Sequence, residues 1–141
     1  MIRRCAAWVL TALLLGASAA SADVVRVLVD ISDQRMYVYH SGQHVATWPV
    51  STARPGKSTP TGSWRPYWLN RDHYSSLYNN APMPYSIFFS GNFAIHGTYE
   101  TARLGRPASA GCIRLAPENA QALFGWVRQA GMSNTRITVQ G

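Results

Sequence analysis

A histidine and a cysteine in the C-terminal half of this 141-residue chain have the types and spacing that nucleophilic catalysis needs. A free thiol is mostly protonated near pH 7, so a catalytic cysteine requires a neighbouring base or a positive field to form the thiolate. His96 ends a predicted strand, and the loop after it allows the chain to return and set the imidazole beside the sulfur of Cys112. Such a pair also occurs by chance, so the spacing alone leaves an inert core thiol as the alternative.

The residues around Cys112 favour a reactive sulfur over an inert one. Ser109, Ala110 and Gly111 are small and leave their backbone N–H groups uncovered, as an oxyanion hole requires. Three arginines of the same segment favour a thiolate and a substrate that carries a carboxylate, namely Arg103, Arg106 and Arg114.

The net charge narrows the class of partner. The chain has 13 basic and 6 acidic residues and a formal charge of +7. Its arginines are scattered and no nucleic-acid motif is present, so this charge does not indicate a nucleic acid as the partner.

The first 22 residues resemble a secretory signal. Arg3 and Arg4 form a positive start, an apolar run over residues 6–15 follows, and small residues then predict cleavage after Ala22. A run of ten residues is too short to span a bilayer, which needs about 20, so no transmembrane anchor is expected. Cleavage removes Cys5, leaves a mature domain over 23–141 with a charge of +5, and leaves one cysteine.

The mature chain begins with a β-rich pattern. Runs of β-branched and aromatic residues predict strands over 24–30, 34–40 and 44–50, joined by tight turns as a meander. His40 and His44 flank the second turn with no carboxylate or thiol at ligand spacing, so both are predicted to be exposed and no metal site is expected.

The middle of the chain is harder to interpret. A loop rich in Pro, Gly, Ser and Thr over 54–62 is followed by residues 63–82, whose Trp, Tyr and Asn lack periodicity and predict a long connection or flap. Strands are predicted over 85–89, 92–96 and 136–139. Five aromatic residues of this region have two interpretations. They form a platform that binds a carbohydrate or a peptide, or they pack in the core and anchor loops. These residues are Trp64, Tyr67, Trp68, Tyr74 and Tyr78.

One helix is predicted over about 117–130, after the cysteine. Pro117 suits the first helical position, Glu118 favours the positive end of the helix, and Gly131 can end it. One face of this helix is apolar, with Ala120, Leu123, Phe124 and Val127 at helical spacing. The predicted fold is therefore mostly β, a sandwich or barrel-like sheet with one main helix.

The segments Ile95-His96-Gly97-Thr98 and Ser109-Ala110-Gly111-Cys112-Ile113-Arg114-Leu115 resemble the signature of the L,D-transpeptidase (YkuD-type) family in its Gram-negative form. Ser51, Thr59-Pro60-Thr61-Gly62 and Met83-Pro84 agree with the same pattern. The resemblance runs from about Val24 to Arg136. One departure is Ala110, because family members usually have a histidine at that position.

The resemblance implies a YkuD-type fold and a role for each matched residue. Cys112 would attack the peptide bond after the third residue of a peptidoglycan stem, and His96 would act as base and then as acid. The carbonyl of Gly97 would hold the second imidazole nitrogen, and the N–H groups of Gly111 and Cys112 would bind the oxyanion. Arg114 would orient the loop or pair with a substrate carboxylate, while Ser109 and Ala110 complete the binding segment.

The resemblance also implies partners and a location. Donor and acceptor stem peptides, with a wall-attached protein as another acceptor, would be the substrates, and carbapenems would acylate the cysteine. No cofactor is implied, and the leader directs the protein to the periplasm. A hydrolase on the same scaffold (an L,D-carboxypeptidase or amidase) and a non-catalytic wall-binding module are the alternatives, because the acceptor-site shape that separates them cannot be inferred from sequence.

Overall fold

A computed structural model describes residues 23–141, which form two β-sheets and one long helix around a shared apolar core. In chain order the strands are β1 (Val25–Asp30), β2 (Arg35–His40), β3 (Gln43–Pro49), β4 (Gly62–Trp64), β5 (Trp68–Tyr74), β6 (Pro82–Ser90), β7 (Phe93–Gly97), β8 (Ile113–Leu115) and β9 (Thr135–Gln140). The helix α1 spans Pro117–Ala130. The leader predicted over residues 1–22, with Cys5, lies outside the described residues. Within 23–141, no helix is long and apolar enough to cross a membrane.

The first sheet has the strand order β3-β2-β1-β9-β4. Its first three strands form the predicted antiparallel meander, and the closing strand β9 runs parallel to β1. The Asp30 carboxylate fixes the first turn, because it accepts hydrogen bonds from Ser32 Oγ at 2.6 Å and from the Asp33 N–H at 3.1 Å. His40 lies half-buried on β2 and His44 lies exposed on β3.

The second sheet has the order β5-β6-β7-β8 and contains the segment with the candidate chemistry. The prediction of a long connection or flap over 63–82 is wrong in part, because this segment contains the end of β4, all of β5 and the start of β6, with residues 65–67 and 75–81 connecting the strands. β5 forms one edge of the sheet, and its sequence WLNRDHY carries polar side chains on both faces, so the strand lacks the apolar alternation that marks a buried one. Its stability comes from the ladder to β6.

Helix α1 lies where the apolar spacing predicts it. Its residues Ala120, Leu123, Phe124 and Val127 are all buried, and the helix packs on β6 and β7. The core beneath it contains apolar residues from both sheets, so helix and sheets are stabilised by the same contacts. This packing fixes the strand β7, which carries the candidate histidine.

Candidate functional site

A cavity of about 550 Å³ opens beside the second sheet, and both candidate catalytic side chains line it. Its wall includes His96 at the end of β7, Cys112 just before β8, and Arg114 within β8. Two further charged residues, Arg54 and Glu100, line the same space, although the sequence pattern pointed to neither.

The strand alternation of β7 and β8 explains why these side chains share a wall. The two strands pair in parallel, with Ile95 opposite Ile113 and His96 opposite Arg114. Ile95 and Ile113 are fully buried in the core, so side chains one position away point to the other face of the sheet. Cys112 and Arg114 lie on either side of Ile113 and therefore face the cavity together with His96.

His96 is held as a neutral base. Its Nδ1 lies 2.6 Å from the Gly97 carbonyl oxygen, which can only accept, so Nδ1 carries the proton and Nε2 has the free lone pair. The side chain is buried, and this burial is the main cause that lowers its pKa to about 4. The charges of Arg114 and His73 lower the pKa further, and the bond to Gly97 opposes the shift. The imidazole is thus unprotonated at neutral pH.

Cys112 is held as a thiol in the resting site. Burial raises its pKa, whereas a backbone hydrogen bond from Ala94 and the charge of Arg114 act in the opposite direction. Its Sγ contacts the Asn92 carbonyl oxygen at 3.8 Å. A neutral thiol that shares a cavity with a neutral imidazole has a base available to take its proton as the sulfur attacks.

The small residues before Cys112 form a hydrogen-bonded turn. Ser109 Oγ donates to the Cys112 carbonyl at 2.6 Å and accepts from the Gly111 N–H at 3.0 Å. The sequence-based expectation of an uncovered Gly111 N–H is therefore not met in this state, because the Ser109 hydroxyl accepts it. Ala110 lines the cavity with a methyl group.

Gly111 is required by its surroundings. Its φ is +138°, and a Cβ there would lie 2.6 Å from Phe93 Cε1 and 2.9 Å from the Ser58 carbonyl oxygen. Thr59 Oγ1 donates to the Gly111 carbonyl at 2.8 Å, so the Thr-Pro-Thr-Gly loop packs directly on the cysteine turn. Ser51 supports the same region, since its backbone pairs with Arg114 and its hydroxyl donates to the Arg106 carbonyl at 2.7 Å.

The predicted cluster of three arginines is only partly present at the cavity. Arg114 lines the wall, whereas Arg103 is exposed in a short 3-10 turn and Arg106 donates to the Ala102 carbonyl at 3.3 Å. Arg54 provides the second guanidinium of the wall instead, from the distant loop after β3. Only the tertiary fold brings it there, so no local pattern near Cys112 could have indicated it.

A second, smaller cavity of about 210 Å³ also reaches Cys112. It is lined by aromatic rings and His73, including Tyr67, Trp68, Tyr78 and Phe88. Tyr67, Trp68 and Tyr78 thus line a cavity, whereas Trp64 packs on Phe89 in the core at a ring distance of 5.3 Å. The platform for a carbohydrate or peptide stays a prediction.

Comparison with known proteins agrees with this architecture. Residues 24–139 match the model of the YkuD family, described as an L,D-transpeptidase catalytic domain. The probable L,D-transpeptidase ErfK/SrfK of Escherichia coli K12 is 27% identical over 128 residues, which cover 72% of this chain and 41% of the relative. The chain thus spans about two fifths of the length of that relative.

Solved structures share the fold. An L,D-transpeptidase of Mycobacterium tuberculosis H37Rv superposes with a TM-score of 0.73 at 23% identity, over 84% of this chain and 58% of that one. The L,D-transpeptidase LdtMt1, solved in complex with imipenem, superposes with a TM-score of 0.71 at 23% identity, over 84% of this chain and 59% of that one. At this identity the likeness establishes the fold alone.

Proposed function

Because the chain belongs to the YkuD family of L,D-transpeptidase catalytic domains, we propose that it cross-links peptidoglycan stems by acyl transfer through Cys112. The observation that carries the proposal is the shared cavity, where Cys112 faces the same space as a buried, neutral His96 whose tautomer is fixed by Gly97. A thiol and an unprotonated base that line one cavity are the parts that nucleophilic acyl transfer needs.

In the acylation step, the sulfur of Cys112 attacks the carbonyl carbon of the third stem residue while His96 Nε2 takes the thiol proton. The tetrahedral intermediate then breaks its carbon–nitrogen bond, and the imidazolium returns the proton to the amine of the departing D-amino acid. A thioester between stem and Cys112 remains. Gly97 accepts from Nδ1–H throughout and stabilises the transient imidazolium, as an aspartate does in serine proteases.

In the transfer step, the amine of a second stem attacks the thioester and gives its proton to His96, which then reprotonates the departing sulfur. The product is an amide cross-link, and the thiol is restored. The N–H groups of Gly111 and Cys112 are the proposed oxyanion donors. Since the Gly111 N–H is bonded to Ser109 Oγ at rest, this donor must exchange partners when the oxyanion forms.

The context of this activity is also part of the proposal. We assign residues 1–22 to a cleaved leader and the protein to the periplasm, where stem peptides are its substrates. One relative of this fold is solved with imipenem, which supports carbapenems as covalent inhibitors here. The basic surface fits the anionic wall polymer better than nucleic acid.

The first test is intact-protein mass spectrometry after incubation with meropenem, with Cys112→Ala as the matched control. We expect one adduct per wild-type molecule and none on the variant, because the variant lacks the nucleophile. A folded, reduced wild-type protein that forms no adduct would contradict the proposed activated thiol and would favour a non-catalytic binding module.

The second test separates transfer from hydrolysis. The protein is incubated with a disaccharide-tetrapeptide, and the products are separated by chromatography. Cross-linked dimers that are absent with Cys112→Ala support the transpeptidase. Trimmed monomers without dimers would replace it by an L,D-carboxypeptidase, in which water resolves the thioester.

A further inference from the structure

An ion pair in the wall of the larger cavity has no part in the acyl-transfer steps above. Glu100 Oε2 lies 3.3 Å from Arg114 Nη1, and both residues line the cavity that contains Cys112 and His96. Arg114 is close enough to the reacting groups for its charge to lower the pKa values of both Cys112 and His96. Any anion bound to Arg114 is therefore beside the chemistry.

The two partners of this pair differ in how firmly they are held. The Arg114 side chain is 23% exposed, and its backbone N–H and carbonyl both bond to Ser51, at 2.9 and 3.1 Å. The Glu100 side chain is 60% exposed, and its residue is fixed through a backbone N–H bond to Thr98 Oγ1 at 3.1 Å. The more exposed carboxylate of Glu100 can therefore turn into water at little cost, whereas the less exposed side chain of Arg114 keeps more of its contact with the cavity wall.

The contact itself is weak for a guanidinium. Arginine has five N–H donors and binds carboxylates best through two parallel hydrogen bonds at about 2.8 Å. Glu100 makes one bond, at 3.3 Å. A ligand carboxylate that approaches along the cavity can form the paired geometry and replace it. Among the described residues that line this cavity, Glu100 is the one carboxylate, so no other acidic side chain competes for Arg114.

We propose that Glu100 is a built-in competitor for the carboxylate site of Arg114, and that a substrate carboxylate binds there by displacing it. Glu100 thereby sets the selectivity of the site for ligands that carry a free carboxylate near the reacting carbonyl over ligands in which that group is an amide. The inference rests on the proposed function for the identity of the ligand as a stem peptide. It assigns to Glu100 a role in specificity and not in bond formation.

The test compares two alkylating reagents that differ in this one group. Iodoacetate and iodoacetamide both alkylate a thiol with loss of iodide, but only iodoacetate carries a carboxylate. The rate of each reaction is measured at Cys112 by peptide mass spectrometry, so that other thiols do not contribute. We expect Glu100→Gln to raise the iodoacetate-to-iodoacetamide rate ratio about two- to fivefold, as expected for removal of an exposed ion pair.

A shorter acid distinguishes displacement from a general charge effect. Glu100→Asp keeps the charge but loses the reach to Arg114, so a competitor that acts by contact predicts a raised ratio in this variant as well. Glu118→Gln is the matched control, since this exposed residue lies in the first turn of α1 and does not line the cavity. Its ratio should equal that of the wild type.

Each result decides the inference. Raised ratios in both Glu100 variants, with a lowered ratio in Arg114→Gln, support it. A wild-type ratio in Glu100→Asp, or in Glu100→Gln, would overturn it. Alkylation needs neither a stem peptide nor turnover, so failure here leaves the transpeptidase proposal standing, and absence of a meropenem adduct leaves this inference standing.

Discussion

At the scale of single residues, the hydrogen bond from His96 Nδ1 to the Gly97 carbonyl determines which nitrogen is free to accept a proton. The acceptor is part of the backbone of the next residue, so it cannot be protonated or rotate away. Burial then keeps the ring neutral by lowering its pKa to about 4. The result is a base that stays available well below the pH at which an exposed histidine is protonated.

This arrangement predicts that the acylation rate falls at an unusually low pH. The rate of meropenem acylation at Cys112 should remain nearly constant from pH 7 to about pH 5 and fall to half near pH 4, because only then does His96 become protonated. The measurement is the pH dependence of adduct formation by mass spectrometry, with circular dichroism at each pH to confirm the fold. A midpoint near the ordinary histidine value of about 6.5 would contradict the buried, neutral base.

Residue types and spacing suggested that Cys112, His96 and Arg114 are neighbours, and these three line one cavity. The contact between His96 and the Gly97 carbonyl was implied only by the family resemblance. Two charged members of the cavity were not predictable, because Arg54 and Glu100 reach it from separate loops with no local pattern. The bond from Gly111 N–H to Ser109 Oγ was also missed, since it depends on a side-chain rotamer rather than on spacing.

At the scale of elements, the cysteine turn is positioned by a loop and a strand that are distant in sequence. The 54–61 loop contacts it through the Ser58 carbonyl and the Thr59 hydroxyl, while β7 contacts it through the Phe93 ring. Close approach from both sides leaves no room for a Cβ at Gly111. The small residue is thus a packing requirement as well as a source of backbone freedom.

Gly111→Ala should therefore destabilise the protein by about 3 kcal/mol or more and abolish the meropenem adduct, because the new Cβ overlaps both neighbours. Gly42→Ala is the matched control: φ at Gly42 is +81°, but no atom lies within 4 Å of its Cβ position. This control should cost about 1 kcal/mol from backbone strain alone and leave acylation intact. Equal losses of unfolding free energy for the two variants, measured in urea, would show that strain and not packing explains Gly111.

The sequence pattern of each element explains whether it could be predicted. The meander, β6, β7 and β9 contain runs of β-branched and aromatic residues, α1 has apolar residues at helical spacing, and all of these elements occur. β5 was missed because an edge strand needs little apolar surface, and β8 was missed because three residues are too few for a period to be recognised. Ile113 and Leu115 of β8 nevertheless hold the segment after Cys112 in place through complete burial.

At the scale of the whole molecule, the two sheets and α1 share one core, so the buried imidazole at the end of β7 is coupled to global stability. The pKa of His96 is about 4 in the folded protein, below its ordinary value of 6.5. Between these values the unfolded chain binds a proton that the folded protein does not. The stability present above pH 6.5 is therefore lost progressively as pH falls toward 4.

The low pKa of His96 predicts how much of the free energy of unfolding is lost in acid. From pH 7 to pH 5, His96 alone should remove about 2 kcal/mol from the free energy of unfolding, and this part of the loss should be absent in His96→Gln. Chemical denaturation of both proteins at the two pH values gives the difference, with the exposed His44→Gln as the control that should keep the wild-type loss. Identical losses in the wild type and His96→Gln would mean that the imidazole keeps its ordinary pKa of about 6.5 in the folded protein. The site would then lose its neutral base below about pH 6.5 and not near pH 4.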